Sequence, residues 1–388
     1  MQDAGTLGEH FVELFGKPLA DSSWSDRRTR LPWDIFTELM RRVLRQRATR
    51  RQPDAFWRRW RLLALDGTQF SLTNTRQILA RRPKTRSRRG RAAFAKLPAT
   101  VLVELGLHNP VAAAIGPEGE SEWALALQLL AQLPAGALLL GDRLYGCAAF
   151  TAQAMAACER VGSHLVFRAR TLIKPEVMRR LRDGSRLIRV PVREKGRPKH
   201  IVGWLEVREI RVRVGRPGHR ATTVKLWTTL RDPRTAPALE LAQLYARRWE
   251  HELYFREVKR QLRTTDLLQS HTVDTAAPEV AALVLASAVL AVERATVADD
   301  EVPVWRVSFP KLLRVVQAMW PTVELGAGIL TERQTQQILR RGQAQLQHQL
   351  TKPRRSRSCP RKVRQPVKRW PRLIRNESTE GPFHFDVL

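Results

Sequence analysis

Leu62-Leu63-Ala64-Leu65-Asp66-Gly67-Thr68 is a run of four apolar residues that ends on a carboxylate and a turn-forming glycine. A run that short and that apolar reads as a buried strand rather than a helix. The same grammar recurs at Ala137-Leu138-Leu139-Leu140-Gly141-Asp142. An acid placed directly after a buried strand is held by a rigid element and faces the sheet edge, where α/β proteins keep their ligand sites. Taken singly, each aspartate could equally be a turn residue or a helix cap.

The surrounding pattern gives the architecture. Thr100 to Leu107 and Val111 to Ile115 read as strands joined by a turn at His108-Asn109-Pro110, and Ser121 to Gln132 as a helix. After the second aspartate come a helix over Ala148 to Val161 and a strand at Leu165-Val166-Phe167. Strands mixed with helices in this order indicate an α/β layer structure. Between Thr171 and Thr223 Ile210, Val212 and Val214 alternate with Arg211 and Arg213, the period of a strand with one wet, basic face. That region is expected to be a β-rich insertion, after which Val224 to Leu230 resumes the core.

The N-terminal side is expected to hold a basic helix from Leu31 to Arg51 and a short helix from Asp54 to Trp60. Helices are also expected at Pro278 to Thr296 and Phe309 to Met319, and after Gln347 the Pro-, Ser- and Arg-rich tail reads as disordered. The expected division is a helical basic region at 1–60 and a catalytic core in two parts, 61–170 and 224–265, split by the insertion at 171–223. A helical C-terminal region at 266–347 and a basic tail at 348–388 complete it.

Charge narrows the function. The 388 residues hold 68 Lys plus Arg against 37 Asp plus Glu, a net +31, and 43% hydrophobic residues can bury a core. An excess that large repels itself in a compact fold and makes sense chiefly beside a polyanion, because neutralising phosphates releases condensed counterions. A merely basic, soluble surface is the plainer alternative. Cys147, Cys158 and Cys359 form no C-x-x-C pair, which argues against structural zinc and a disulfide framework and fits a reducing cytosol. No charged-then-apolar leader is seen, and the apolar stretch Val280 to Val292 is too short to span a bilayer. No G-x-x-x-x-G-K-[ST] loop suggests a nucleotide cofactor.

The third acid comes from a helix expected to run from Thr235 and Pro237 to Leu262. On a wheel of about 100° per residue, Tyr245, Arg248, Glu252 and Lys259 fall at roughly 0°, −60°, −20° and −40°. Trp249 and Arg256 border that stripe at about 40° and 20°, while Glu250 and Glu257 point away near 140° and 120°. An exposed helix with an Arg248–Glu252 ion pair would give the same stripe. Tyr and Trp on that face argue instead for a place where phosphate and metal meet. Three carboxylates suffice to hold two Mg²⁺ or Mn²⁺ ions, hard cations that take oxygen ligands and clamp the attacking and leaving oxygens of a phosphodiester.

Tyr245, Arg248, Glu252 and Lys259 reproduce the Y-x2-R-x3-E-x6-K signature of the insertion-sequence-four family of bacterial DDE transposases, which the chain resembles from roughly Ser23 to Met319. Leu65-Asp66-Gly67-Thr68 and Leu140-Gly141-Asp142-Arg143 look like that family's two aspartate motifs, the stretch from Phe94 to Leu107 is similar to its segment after the first, and Val307-Ser308-Phe309 falls where members carry Ser-Phe. The resemblance implies a ribonuclease-H-like core, a mixed sheet flanked by helices, interrupted by a β-rich insertion. It also implies catalytic, metal-binding Asp66, Asp142 and Glu252, with Tyr245, Arg248 and Lys259 holding the DNA end. Arg256 and Arg143 are further candidates for DNA contact, although Arg143 could instead pair with a carboxylate. The implied activity is metal-dependent cleavage of transposon-end DNA and transfer of its 3′ ends to target DNA, by at least a dimer on double-stranded DNA in the bacterial cytoplasm, associated with the nucleoid. A structure-directed nuclease on the same core and a non-catalytic DNA-binding descendant are the alternatives. Only 65 residues precede Asp66, few for the family, so a reduced or missing N-terminal end-binding region is expected. Trp204 and Trp227 are expected to pack in a core, with base stacking as the second reading. The loop from Arg81 to Arg91 and the tail from Arg354 to Arg372 are expected to touch DNA backbone.

Overall fold

The computed structural model describes residues 12, 16–18, 20–87, 90–194, 196–216, 219–263, 265–298, 302–351 and 384–388. The expectations for residues 352–383 of the tail, Cys359 among them, fall outside these residues, whereas His384–Val387, expected to be disordered with the rest of the tail, is a strand because its backbone pairs with Val212 to Gly215. The chain forms two compact units, one of residues 1–138 and 248–351, the other of 139–247 and 352–388.

In the first unit, helices α1 (Asp21–Arg30) and α2 (Trp33–Val43) precede a short 3-10 turn at Pro53–Ala55 and strand β1 (Phe56–Trp57). Strand β2 (Trp60–Ser71), helix α3 (Arg76–Arg81), a small hairpin of β3 (Arg86–Ser87) and β4 (Gly90–Arg91), β5 (Lys96–Glu104), β6 (Asn109–Ile115) and α4 (Glu122–Leu130) follow. The expected helix therefore stops at Val43, eight residues before Arg51, and the expected helix at Asp54 to Trp60 is a 3-10 turn running into a strand. Phe56 and Trp57 fold back on Arg61 and Trp60, so sheet pairing takes over where local helical spacing was weak.

β2, β5 and β6 form an antiparallel meander in the order β6-β5-β2. β2 does not end at Asp66. It continues to Ser71 because Gly67 to Ser71 stay in register with Thr100 to Lys96. Leu62 to Leu65 are wholly buried, whereas Asp66, Gly67 and Thr68 are half-buried. The acid thus lies within the strand at a half-buried stretch, not at the point where the strand stops, and Phe70 beyond it is again buried.

The core of this unit is completed by α7 (Trp249–Arg256), α8 (Val273–Val297), α9 (Phe309–Leu325) and α10 (Glu332–His348), named after α5 and α6 of the other unit. α8 is 25 residues long and, by length and composition, could cross a membrane. Here it is a core helix, with Val273, Ala276, Val280, Val284 and Leu290 buried among Phe70, Leu97 and Tyr254.

Glu104, wholly buried at the end of β5, ties three segments together. Its Oε2 accepts from the backbone N–H of Arg47 and Ala48 and from Asn109 Nδ2, at 2.9, 3.0 and 2.9 Å, and its Oε1 pairs with Arg61 Nη1. Four donors satisfy one charge, which makes its burial tolerable.

The second unit contains β7 (Ala137–Gly146, its first two residues in the first unit), α5 (Ala148–Arg160), β8 (His164–Ala169), β9 (Glu176–Arg180), β10 (Arg186–Glu194), β11 (Arg197–Arg216), β12 (His219–Thr228) and α6 (Ala238–Tyr245). Strand order is β7-β8-β12-β11-β10-β9, and β13 (His384–Val387) pairs with β11. The region expected to be β-rich is a run of long antiparallel strands. Ile188, Val190, Leu205, Val207 and Trp227 form its core. Arg208, wholly buried, donates to Ser185 Oγ, Leu230 O and Ala236 O and pairs with Asp183, whose Oδ2 also accepts from the N–H of Ala238, the first residue of α6. Strands and helices mix along the chain, the α/β class expected from the sequence.

Replacing Glu104 by Ala leaves Arg61, Asn109 and two backbone N–H groups without their shared acceptor. Stability in urea titrations is expected to fall by about 3–5 kcal/mol. A loss below about 1 kcal/mol, the size of an exposed pair, would contradict this role.

Candidate active site

Side chains alternate along a strand, so Asp66 and Thr68 share one face of β2 and Gly67 takes the other. A Cβ on Gly67 would meet only the flexible end of the Glu122 side chain of α4, which can swing aside. Asp66 Oδ1 accepts from the N–H of Gly67 at 2.9 Å, and its Oδ2 accepts from Arg248 Nη1 at 3.1 Å. The other terminal nitrogen, Arg248 Nη2, donates to Glu252 Oε1, also at 3.1 Å. One guanidinium therefore spans two carboxylates, and the Asp66 and Arg248 side chains are each only 16% exposed.

The segment bearing Glu252 is not the single α-helix that a wheel assumes. A 3-10 turn, Ala246–Arg248, separates α6 from α7, and Glu257–Gln261 is a π-helical turn. A π turn inserts extra backbone and shifts later side chains off the 100° spacing. It leaves Lys259 Nζ donating to Gln69 O at 2.9 Å and to Thr68 Oγ1 at 3.2 Å, two residues along the strand from Asp66. Burial, with Lys96, Arg263 and Arg260 nearby, lowers the Lys259 ammonium below the usual lysine range.

Two contacts fix α7 against the meander, and a third ties the π turn after it to α8 and His108. His251, wholly buried, donates from Nε2 to the carbonyl of Val101 at 2.9 Å, and Val101 is the ladder partner of Asp66. Burial, aided by the Arg248 charge, outweighs the carbonyl and pushes the imidazole down to about 3, so it is neutral. Glu250 Oε2 accepts from the N–H of Gly106 at 2.7 Å. Gly106 has φ +84°, and a Cβ there would meet Ala55 N at 2.7 Å, so the turn requires glycine. Glu257 accepts from Arg294 Nη2 of α8 at 3.0 Å and meets His108 Nδ1 at 2.9 Å. Burial alone would raise its carboxyl, but Arg294 and His108 outweigh it and hold the group down at about 2. Glu250 and Glu257 do point away from the stripe, as the wheel indicated, and both face protein.

The second unit holds Asp142 inside β7, which runs on to Gly146 rather than ending at the acid. Asp142 Oδ1 accepts from the N–H of Leu144 at 2.6 Å. Tyr245 donates its hydroxyl to Gly141 O at 3.1 Å. A Cβ on Gly141 would approach Phe167 Cδ1 to 2.7 Å, so this glycine admits the Tyr145–Phe150–Phe167 cluster. Arg143 and Arg256 are exposed, with no ion pair among the described residues.

The structure thus brings Asp66, Arg248, Glu252 and Lys259 together in the first unit, and Asp142 with Tyr245 in the second. Among the described residues no three His, Cys, Asp or Glu groups gather as a ready-made metal cage. The Asp66–Glu252 pair nevertheless fits a hard cation by donor type, since both carboxylates already converge on one positive charge. Trp227 is wholly buried as expected, but Trp204 is 46% exposed, with Arg189 stacked 4.4 Å from its ring centroid. Sequence reasoning missed His251, whose only signal was its place beside Glu252.

A model of the transposase DDE domain matches residues 57–288, more than half of the chain. The chain belongs to the transposase DDE domain family. The matched span contains both aspartates, Glu252 and the insertion between them. The chain is 26% identical over 298 residues to Transposase InsG for insertion sequence element IS4 of Escherichia coli (strain K12), an alignment covering 75% of this chain and 66% of that protein. A solved piggyBac transposase synaptic complex with hairpin DNA aligns over 89% of this chain and 65% of its own, with 9% identity and a TM-score of 0.45. The chain therefore spans just under two thirds of the relatives it matches.

The neutral His251 makes stability depend on pH. Its folded value lies below the unfolded value near 6.5, so the unfolded state takes up a proton first and stability falls as pH drops from about 6.5 toward 3. Between pH 6.5 and 5, above the range where Glu257 contributes, the slope should approach about 1.4 kcal/mol per pH unit from this group. His251→Gln, which keeps a donor for Val101 O but cannot titrate, should remove that slope in urea titrations across the same range. Equal slopes in the two proteins would contradict the assignment.

Proposed function

We propose that this transposase cuts DNA at the ends of a mobile element and joins the freed 3′ ends to target DNA, with Asp66, Asp142 and Glu252 as the carboxylates that hold divalent metal. The observation that carries the reading is the Arg248 guanidinium spanning Asp66 and Glu252 in a chain of the DDE family. The signature residues, the two aspartate motifs and a net charge of +31 support it.

Bound Mg²⁺ or Mn²⁺ supplies Lewis-acid stabilisation of the oxygens that attack and leave phosphorus. The chain's own residues do the rest. Asp66 presents its carboxylate from a strand, and Glu252 presents its own from a helix pinned by His251, Glu250 and Glu257, so both are positioned before substrate arrives. Arg248 offsets one of the pair's two negative charges, and its fork geometry suits a phosphate equally well. Lys259, Arg256 and Arg143 supply cations for the DNA backbone, and Tyr245 lies beside the Asp142 segment. Joining two ends calls for at least two copies on DNA.

Incubated with Mg²⁺ and DNA carrying its own flanking sequence, the protein should give cleaved and joined products. Glu252→Ala, Asp66→Asn and Asp142→Asn should each lower the rate by at least about a hundredfold while DNA is still bound. Nicked products without joining would favour a nuclease. Binding without cutting by the native protein would favour a DNA-binding role and overturn the proposal.

A further inference from the structure

Three cations outside any ion pair surround the far end of β2. Lys96 opens β5 as the ladder partner of Ser71, and its Nζ donates to Ser71 Oγ at 2.6 Å. Lys259 Nζ lies 5.5 Å from the Phe70 ring centroid, and Arg263 Cζ lies 5.8 Å from the same ring. Their partners are all neutral: two hydroxyls, one carbonyl and an aromatic face. Among the described residues no carboxylate comes within 4.0 Å of any of the three. Arg263 Nη2 is buried and has no hydrogen-bond partner among them. Glu279 and Asp266 face Arg263 only at longer range, and the Glu279 oxygens already accept from Gln269 N, Ser270 N and Ser270 Oγ.

Gathering like charges where water is scarce is costly, and an arriving anion offsets that cost. Burial lowers the proton affinity of both Lys259 and Arg263, and for Lys259 the neighbouring cations Lys96, Arg263 and Arg260 lower it further. Phe70 lies four steps along the strand from Asp66, about 13 Å. We propose that Lys96, Lys259 and Arg263 form a cradle for one backbone phosphate of the DNA strand lying along β2, a few nucleotides from the bond that is cut. The inference rests on the proposed function and adds Lys96 and Arg263 to the single signature lysine.

The test is DNA affinity measured against salt concentration, for a duplex with the flanking sequence, in Ca²⁺ to prevent cutting. Lys96→Ala and Arg263→Ala should each bind about three- to tenfold more weakly and lower the magnitude of the log K against log salt slope by about one. Lys96→Arg should restore the slope, which a purely structural role for Lys96 would not require. If Arg263→Ala fails to fold, Lys96→Ala alone carries the test. Slopes equal to that of the native protein would overturn the cradle. Variants that lose binding of inorganic phosphate, followed by calorimetry, but keep the native DNA slope would overturn it too, by assigning the site to the free anion. A native protein that binds DNA with the steep slope but never cuts would defeat the proposed enzyme and leave the cradle standing. One that cuts while the variants keep its slope would defeat the cradle alone.

Discussion

The hydrogen bond from His251 to the carbonyl of Val101 is the constraint on which the first unit's chemistry depends. It joins the residue before Glu252 to the ladder partner of Asp66, so the helix acid and the strand acid are referenced to one point. Because the imidazole is buried and neutral, the bond costs no charge burial and competes with no water. Glu250 on the Gly106 turn and Glu257 on Arg294 and His108 pin the same segment further along its length. A helix held at two places against the meander and, in the turn that follows it, to α8 has little freedom to tilt, which is what a site built from two separate elements needs.

The charges divide into two kinds of neighbourhood. Buried acids are matched, Glu104 by Arg61 and backbone donors and Glu257 by Arg294, and so is the half-buried Asp183, by the buried Arg208. Each of these holds segments distant in sequence together and is already satisfied. Along β2 the balance differs. Asp66 and Glu252 share Arg248, and farther down the strand Lys96, Lys259 and Arg263 meet no acid among the described residues within 4.0 Å. An acidic end beside a cationic end on one strand suits a ligand that carries both metal ions and phosphates.

Much of the fold was legible because apolar runs between turn signals are strong local evidence. Leu62 to Leu65, Ala137 to Leu140 and the alternation at Ile210, Val212 and Val214 all lie in strands. The ends were not legible, because partners set them. β2 passes Asp66 only because β5 remains opposite it, and β7 likewise runs through Asp142. The N-terminal helix stops short of Arg51, because the stretch after Val43 gives its backbone N–H groups at Arg47 and Ala48 to Glu104, a contact 56 residues away or more in sequence. The four signature residues were found by spacing, yet the 3-10 and π turns show that the spacing does not come from one ideal helix. Trp204 was read as core from its residue type, whereas its strand register sets it on the outer face, beside Arg189. His251 and Arg263 had no local signal, since a buried imidazole and an unmatched guanidinium are defined by tertiary neighbours.

The central claim is that these acids hold a divalent metal. Metal-directed cleavage of the polypeptide tests it most directly: Fe²⁺ bound in place of Mg²⁺, with ascorbate and peroxide, cuts the backbone next to the ion. The account predicts fragments ending near Asp66, Asp142 and Glu252 that disappear with excess Mg²⁺ and are absent from Asp66→Asn. Fragments elsewhere, or the same fragments in Asp66→Asn, would contradict it.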